Sequence, residues 1–242
     1  MSRYTAILDA CALVPIALAD TLLRVAEKGL YRPLWPDRIL AEAQAATEEI
    51  HPGMDAGKRF TQMREAFDDA LVTGWEELEP GIRLPDPDDR HVVAAAVRGG
   101  VQGIITANAK DFPATTLEPF GLEAYHPDDF LLDQLDLSPP TILQVIRDQA
   151  THTRRPPLTP RDLATLLGRA GAPGFAGRPG RFGKEGEERT VYEVAVDGTD
   201  ASEGWYAWCP LTPPGPLSLP PAETADRNRH LGRMQALLPY RE

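Results

Sequence analysis

The stretch that decides the fold class is LPDPDDRHVVAAAV, residues 84–97. A proline-stiffened loop carries three aspartates into the first turn of a predicted helix of alanine and valine. Gly99 and Gly100 end that helix, and the apolar run GIIT at residues 103–106 predicts a buried strand directly after it. A helix followed at once by a fully apolar strand is typical of a parallel sheet that is covered on both faces.

The same alternation extends outward from this stretch. The run YTAIL at residues 4–8 predicts a buried strand that ends on Asp9. The other expected elements are helices over 13–28, 37–49 and 56–72, a short strand within 74–81, a last strand near 121–125 and a helix from Pro127. Strands that alternate with helices predict an α/β fold, a three-layer α/β/α sandwich with a central parallel sheet.

Composition divides the chain into three parts. Residues 1–135 hold the alternating strands and helices and are predicted to form one domain. Residues 136–177 show helical periodicity over 141–150 and 160–170, which predicts a helical extension. Residues 178–242 are interpreted as a Pro/Gly-rich tail in which a small β-hairpin is one option, since 14 of the 24 prolines lie after residue 135.

The acidic charge of the chain is concentrated in its N-terminal part. Residues 1–135 contain 12 Lys and Arg against 23 Asp and Glu, whereas residues 136–242 contain 13 of each kind. This balance argues against a protein that coats nucleic acid, because such proteins gain most of their affinity from basic contacts with phosphate. It is compatible with a site that recruits cations.

No segment of the sequence predicts a membrane span or an export signal. The longest apolar stretch, Cys11–Ala19, is interrupted by Pro15 and is too short to cross a bilayer. The two cysteines, Cys11 and Cys209, provide neither a disulfide framework nor a zinc-ligand spacing. We therefore expect a cytoplasmic protein without membrane contact or cysteine chemistry.

Acidic side chains mark the ends of predicted strands and the starts of predicted helices. Asp9 ends the first strand, Asp89 starts the helix of the opening stretch, and Asn108 and Asp111 follow the strand at 103–106. Glu42 lies within the helix predicted over 37–49. The carboxyl ends of parallel strands meet at one edge of a sheet, where open α/β folds place their sites. Oxygen ligands suit Mg²⁺ and Mn²⁺, which activate water for attack on a phosphate ester.

Most of these acids also have a simpler structural explanation. Asp86 and Asp88 are equally well explained as caps of the helix that follows. Glu42 can be a solvated helix residue, and Asp111 can serve only to start a turn. Asp9 is harder to explain in this way, because a carboxylate at the end of a buried strand requires a cation or hydrogen-bond donors.

The basic residues near these acids receive less specific interpretations. His91 is interpreted as a packing or hydrogen-bonding residue rather than a general base. Arg38 and Lys110 are interpreted as solvated surface residues, with contact to a substrate phosphate as the alternative.

Three segments resemble the successive acidic motifs of PIN-domain proteins. They are ILDA at 7–10, PDPDDRHV at 85–92 and TANAKDFP at 106–113, and they occur in the same order and spacing. The closest branch is the VapC-like toxins of bacterial toxin–antitoxin pairs, whose likeness extends to HPDDFL at 126–131 and PPLT at 156–159. Each motif is short, so the specificity lies in the three occurring together on the expected strand–helix frame.

This resemblance implies a metal-dependent endoribonuclease that an antitoxin protein restrains. It implies four catalytic acids that bind Mg²⁺ or Mn²⁺: Asp9, Glu42, Asp89 and Asp111. The residues that support them are Asn108, Thr106, Asp86 and Asp88. Asn108 stands where the family often has aspartate, and its amide offers a carbonyl oxygen but no charge. The implied partners are an RNA substrate, a cognate antitoxin and a second copy of the chain.

Two other classes of enzyme fit these residues less well. A HAD-type phosphatase needs a second aspartate two residues after the first, where this chain has Cys11. A dinucleotide-binding enzyme needs a glycine-rich loop after the first strand, and residues 9–12 lack one. The alternative that stays open is a catalytically inactive PIN-like module that binds a protein partner.

Overall fold

A parallel sheet of four strands lies at the centre of the computed structural model, which describes residues 3–53, 55–153 and 157–178. The strands are β1 (Thr5–Leu8), β2 (Arg32–Leu34), β3 (Gly103–Ile105) and β4 (Glu123–Tyr125). They pair in the order β2-β1-β3-β4, with Ile7 of β1 opposite Leu34 and Ile104. The predicted α/β fold with a parallel sheet is confirmed.

The order of the strands reverses at β1. The chain leaves β1 to form β2 on one side and later returns to form β3 on the other side. Because connections between parallel strands are right-handed, this reversal places the connecting helices on opposite faces of the sheet. The loops after β1 and β3 therefore diverge and leave a crevice at the carboxyl ends of these two strands, where open α/β sheets bind their ligands.

The helices largely follow the sequence prediction. Those in the described residues are α1 (Ala10–Leu13), α2 (Ile16–Glu27), α3 (Asp37–Ile50), α4 (Gly57–Ala66), α5 (Arg90–Gly99), α6 (Ala114–Leu117), α7 (Pro127–Leu137), α8 (Pro139–His152), α9 (Pro160–Arg169) and α10 (Pro173–Ala176). The helix predicted over 13–28 is α2, which begins later, at Ile16, because Pro15 cannot donate a backbone hydrogen bond; the short helix α1 before it was not predicted.

The short strand predicted within residues 74–81 is wrong. Gly74 has a left-handed backbone with a φ of 70°, and Glu79–Gly81 form a turn of 3-10 helix. The extended segment lies just before this region, where Leu71 makes an isolated parallel bridge with Trp35. The helix predicted over 56–72 therefore ends earlier, at Ala66.

Helix α5 packs directly on the two central strands, β1 and β3. The side chains from Val92 to Ala96 are fully buried, and their small size lets the helix lie close to the sheet. Gly100 follows with a φ of 60° and ends the helix in the left-handed conformation that glycine adopts without strain. The packing of α5 fixes Asp89, which immediately precedes the helix, relative to the ends of the central strands.

Helices α7 to α10 form a group that packs against α2. Gln149 of α8 is fully buried, accepts from Thr21 Oγ1 at 2.7 Å and donates to the Ala17 carbonyl at 3.0 Å. Asp128 of α7 accepts two backbone N–H groups of α10, from Gly174 at 2.8 Å and Phe175 at 2.7 Å. The predicted boundary at residue 135 stays a prediction and falls inside α7.

The β-hairpin considered for the tail lies outside the described residues, as does nearly all of the segment from residue 178 onward. Within the part of the chain that the structure describes, no helix has both the length and the apolar character that a membrane crossing requires.

Candidate active site

Asp9 is held at the end of β1 by donors on both of its carboxylate oxygens. Its backbone N–H continues the pairing of β1 with β3 by donating to the Ile105 carbonyl at 3.0 Å. The Ala10 N–H donates to Oδ1 at 2.7 Å, and the Thr106 hydroxyl donates to Oδ2 at 2.7 Å. The side chain is buried, so these donors offset the cost of removing a carboxylate from water. The donors fix the orientation of Asp9.

Cys11 joins the same network. Its thiol donates to Asp9 Oδ2 at 3.1 Å, and its sulfur accepts the Ala107 N–H at 3.1 Å. Burial and the negative charge of Asp9 raise the pKa of the Cys11 thiol well above its usual value. The thiol therefore keeps its proton and serves as a donor to Asp9.

Thr106 links the ends of β1 and β3, as its predicted supporting role requires. Its hydroxyl donates to Asp9 and accepts the Asn108 N–H at 3.0 Å, and the side chain is fully buried. A single hydroxyl thus sets both the position of Asp9 and the start of the loop that carries Asn108 and Asp111.

Asp89 is the most strongly perturbed acid of the crevice. It is buried at the start of α5 and makes no side-chain cap to that helix, so the simple capping explanation does not apply to it. Burial raises its pKa from 3.8 to about 8, and the negative charges of four other carboxylates add to this effect: Asp9, Asp86, Asp111 and Glu42. The structure therefore brings the predicted acids into one electrostatic group.

The neighbouring acids Asp86 and Asp88 behave differently from each other. Asp86 is buried, caps the 3-10 turn Pro87–Asp89 by accepting the Asp88 N–H at 3.1 Å, and also acts on Asp89. The Asp88 side chain is exposed and is not among the four carboxylates that raise the pKa of Asp89. The structural contribution of Asp88 comes from its backbone carbonyl, which accepts from two basic side chains.

Asn108 and Asp111 lie on the loop after β3 and contact each other. The Asn108 Nδ2 group donates to Asp111 Oδ2, and Asp111 is buried in a turn of 3-10 helix. The amide group of Asn108 thus orients the Asp111 carboxylate, and Asn108 adds no charge of its own. This gives a physical account of the position where the family often has aspartate.

Glu42 projects from α3 and is bound by two basic side chains. Arg38 Nε lies 3.0 Å from Oε1, and His91 Nε2 lies 3.2 Å from Oε2. The interpretation of Arg38 as a solvated surface residue is therefore wrong, whereas Lys110 is exposed. His91 is fully buried and contacts Glu42 and the Asp88 carbonyl, which agrees with its predicted hydrogen-bonding role.

The donor set of the crevice fits a hard divalent cation. Its acids offer carboxylate oxygens, which such a cation prefers, and burial together with the neighbouring negative charges raises the pKa of Asp89. Among the described residues, no three histidine, cysteine or carboxylate side chains are close enough together to form a complete metal site. The acids of the crevice thus lie near enough to Asp89 to raise its pKa, but they do not form a closed set of metal ligands.

Two contributors to this site were missed by sequence reasoning. The spacing of four residues between Arg38 and Glu42 on one helix was visible and predicts a side-chain pair. Cys11 lies only two residues after Asp9, but its contact with Ala107 depends on the pairing of β1 with β3 and gives no local signal.

Comparison with protein families defines the class of this protein. Residues 5–110 match the family model described as PIN domain, and residues 127–181 match the model described as VapC50 C-terminal domain. Residues 5–110 therefore form a PIN domain, and the acids of the crevice lie within this range except for Asp111, which directly follows it.

One curated relative is "Putative ribonuclease VapC50" of Mycobacterium tuberculosis. It is 49% identical to this chain over 80 residues, which are 33% of this chain and 47% of the relative. The match thus spans about half the length of that relative. No solved structure matches the chain.

Proposed function

We propose that this protein is a Mg²⁺- or Mn²⁺-dependent endoribonuclease and the toxin of a toxin–antitoxin pair. The PIN domain and the relative named as a putative ribonuclease support a nuclease. The choice of metal and the toxin role rest on the acidic crevice and on the resemblance to VapC-like toxins. The cytoplasm, where the RNA substrate is found, is the expected location.

The observation that carries the proposal is the raised pKa of Asp89. A buried carboxylate whose pKa is raised to about 8 by burial and by other carboxylates is costly to ionise. A divalent cation at this place would offset the repulsion, whereas a purely structural cluster gains nothing from it. Such an arrangement supports metal binding by Asp9 and Asp89, with Asp111 and Glu42 completing the acid set.

In this mechanism, the bound cation supplies activation of water and neutralises the charge that develops on the phosphate. Asp9 is kept in one orientation by Thr106, Cys11 and the Ala10 N–H. Asp89 would hold the cation as a carboxylate and would give up its proton to do so, because a nearby positive charge favours the carboxylate form. Asn108 orients Asp111 toward the same crevice through its amide group.

The partners follow from the same proposal. RNA enters at the carboxyl ends of β1 and β3, and a cognate antitoxin binds near the acidic crevice through basic side chains. A homodimer is proposed from the resemblance to VapC-like toxins alone. No contact of the described residues bears on it.

One observation favours the alternative of an inactive PIN-like module. Glu42 is held by Arg38 and His91, so one of the four proposed acids is already balanced by basic groups. An inactive module would keep the PIN fold and bind a protein partner without needing a cation.

Cleavage of a mixed RNA pool separates the two functions. We expect the purified chain, freed from any partner, to cleave RNA with Mg²⁺ or Mn²⁺ and to lose this activity in EDTA. Asp9→Asn should abolish cleavage. Asp69→Asn is the matched control, because Asp69 is exposed and pairs only at the surface with Arg32 at 3.0 Å.

The outcomes are distinct. Loss of cleavage in Asp9→Asn but not in Asp69→Asn supports the nuclease. Absence of cleavage by folded protein under every metal condition excludes the nuclease and favours the interaction module. Equal cleavage by the wild type and Asp9→Asn shows that a contaminating nuclease is responsible.

A further inference from the structure

The two oxygens of the Glu42 carboxylate are contacted by side chains of two different helices. Arg38 lies one turn earlier on α3 and binds Oε1 through Nε at 3.0 Å. His91 lies at the start of α5 and places Nε2 3.2 Å from Oε2. The His91 ring is fully buried, while the Arg38 side chain is 38% exposed. Glu42 thus connects α3 to the helix that begins just after Asp89.

The same two basic side chains share a second acceptor, the backbone carbonyl of Asp88. His91 Nδ1 lies 2.7 Å from this oxygen, and Arg38 Nη2 donates to it at 3.3 Å. Arg38 also contacts Glu79 through Nη1 at 3.3 Å. Asp88 directly precedes Asp89, so the two bases hold both Glu42 and the peptide that carries Asp89. We call this group of Arg38, Glu42, His91 and the Asp88 carbonyl the Glu42 clamp.

The contacts of His91 assign the roles of its two ring nitrogens. A carbonyl oxygen only accepts hydrogen bonds, so Nδ1 carries a proton that it donates to Asp88. Nε2 faces a carboxylate oxygen, and both atoms are shielded from solvent. These two atoms are within ion-pair distance of each other, but neither has a hydrogen-bond partner among the described residues. The ring therefore makes its hydrogen bond to Asp88 and packs against the Glu42 carboxylate in a place that solvent does not reach.

We propose that His91 and Arg38 are positioning residues of the nuclease site and that His91 acts through Glu42. The proposal rests on the metal-dependent function put forward above. The clamp fixes the distance between the α3 carboxylate and Asp89, and the Arg38 guanidinium offsets part of the negative charge of Glu42. In agreement with this, Glu42 is the weakest of the four carboxylates that raise the pKa of Asp89. The acids would therefore already be in place when a divalent cation binds, and no rearrangement of α3 or α5 would be needed.

Two substitutions of His91 separate its contacts. The amide nitrogen of glutamine lies near the position of Nε2 and keeps the contact with Glu42, whereas that of asparagine lies near Nδ1 and reaches only Asp88. We expect His91→Asn to lower Mn²⁺ affinity about ten-fold, the range seen when a group that orients a metal ligand is removed. His91→Gln should stay within about two-fold of the wild type, because the contact with Glu42 is kept.

A double mutant tests whether the effect passes through Glu42. If it does, His91→Asn should have little further effect on Mn²⁺ affinity in a chain that already carries Glu42→Gln. His152→Asn is the matched control, since His152 Nδ1 also contacts a backbone carbonyl, that of Asp148 at 2.5 Å, at the exposed end of α8. Arg64→Gln is the control for Arg38→Gln, because Arg64 pairs with Asp37 on the surface at 3.1 Å.

The Mn²⁺ affinity of each variant is measured by calorimetry, and thermal unfolding shows whether the variant is folded. The clamp is supported if His91→Asn weakens binding, His91→Gln does not, and the loss disappears in the Glu42→Gln background. It is overturned if both His91 variants weaken binding equally, or if the losses in the double mutant simply add. Binding of Mn²⁺ without RNA cleavage would reject the proposed nuclease and still test the clamp.

Discussion

Replacing Asp89 with asparagine should stabilise the metal-free protein, by an amount that grows with pH. The folded state keeps the Asp89 proton up to a pKa of about 8, whereas the unfolded chain loses it near 3.8. Between these values the folded state binds one proton more, so the free energy of unfolding falls as pH rises. One group can contribute at most about 1.4 kcal/mol per pH unit, or about 3 kcal/mol between pH 5 and pH 7. Asparagine does not titrate, so the variant escapes this loss.

Urea unfolding in EDTA at pH 5, 6, 7 and 8 measures the effect. The stability difference between Asp89→Asn and the wild type should increase steadily over this range, while Asp69→Asn should follow the wild type. Excess Mn²⁺ should shrink this difference, because binding at 100 times Kd stabilises the wild type by about 2.7 kcal/mol and the variant much less. A stability difference that does not change with pH would refute the claim that Asp89 is a strained, buried acid.

Three further predictions concern residues around the site and the fold. Cys11→Ala should weaken Mn²⁺ binding about five-fold, by the roughly 1 kcal/mol of one hydrogen bond, whereas Cys11→Ser should keep it, as calorimetry can show. Asp128→Ala leaves the Gly174 and Phe175 N–H groups without their acceptor and should cost about 1–3 kcal/mol in urea unfolding, with unchanged Mn²⁺ affinity. Gly103→Ala should cost about 1–3 kcal/mol, because a Cβ there would collide with the Tyr4 hydroxyl, and adding Tyr4→Phe should recover part of this loss.

Each of these three predictions has a clear contrary result. Equal Mn²⁺ affinities of Cys11→Ala and Cys11→Ser would show that the thiol does not orient Asp9. An unchanged urea midpoint in Asp128→Ala would mean that α10 is not held by this carboxylate. If Tyr4→Phe gives no recovery, the collision at Gly103 is with another group.

Much of the fold could be predicted because its signals are local. The apolar run at 4–8 ends on Asp9, and the sequence around Asp89 joins an acidic loop to a helix of small residues. Parallel strands must be buried, so such runs are distinctive, and the right-handed connections then limit how they can be arranged. The later start of α2 has a local cause as well, because Pro15 directly precedes its first residue.

The finer structure of the site depends on tertiary packing and could not be predicted in the same way. His91 meets Glu42 across 49 positions because α3 and α5 approach each other, and nothing in either helix alone indicates this contact. Cys11 meets Thr106 across 95 positions through the pairing of β1 with β3. The motifs named the acids, but the residues that orient those acids come from distant parts of the chain.

Proton release on Mn²⁺ binding tests the central claim that the acids form a site for a divalent cation. Calorimetry at pH 7 in two buffers of different ionisation enthalpy gives the number of protons released per ion. With a pKa of about 8, Asp89 is mostly protonated at this pH, so the wild type should bind Mn²⁺ and release about one proton, whereas Asp89→Asn should bind weakly and release almost none. Absence of Mn²⁺ binding by the folded wild type, or equal proton release by both proteins, would contradict the claim.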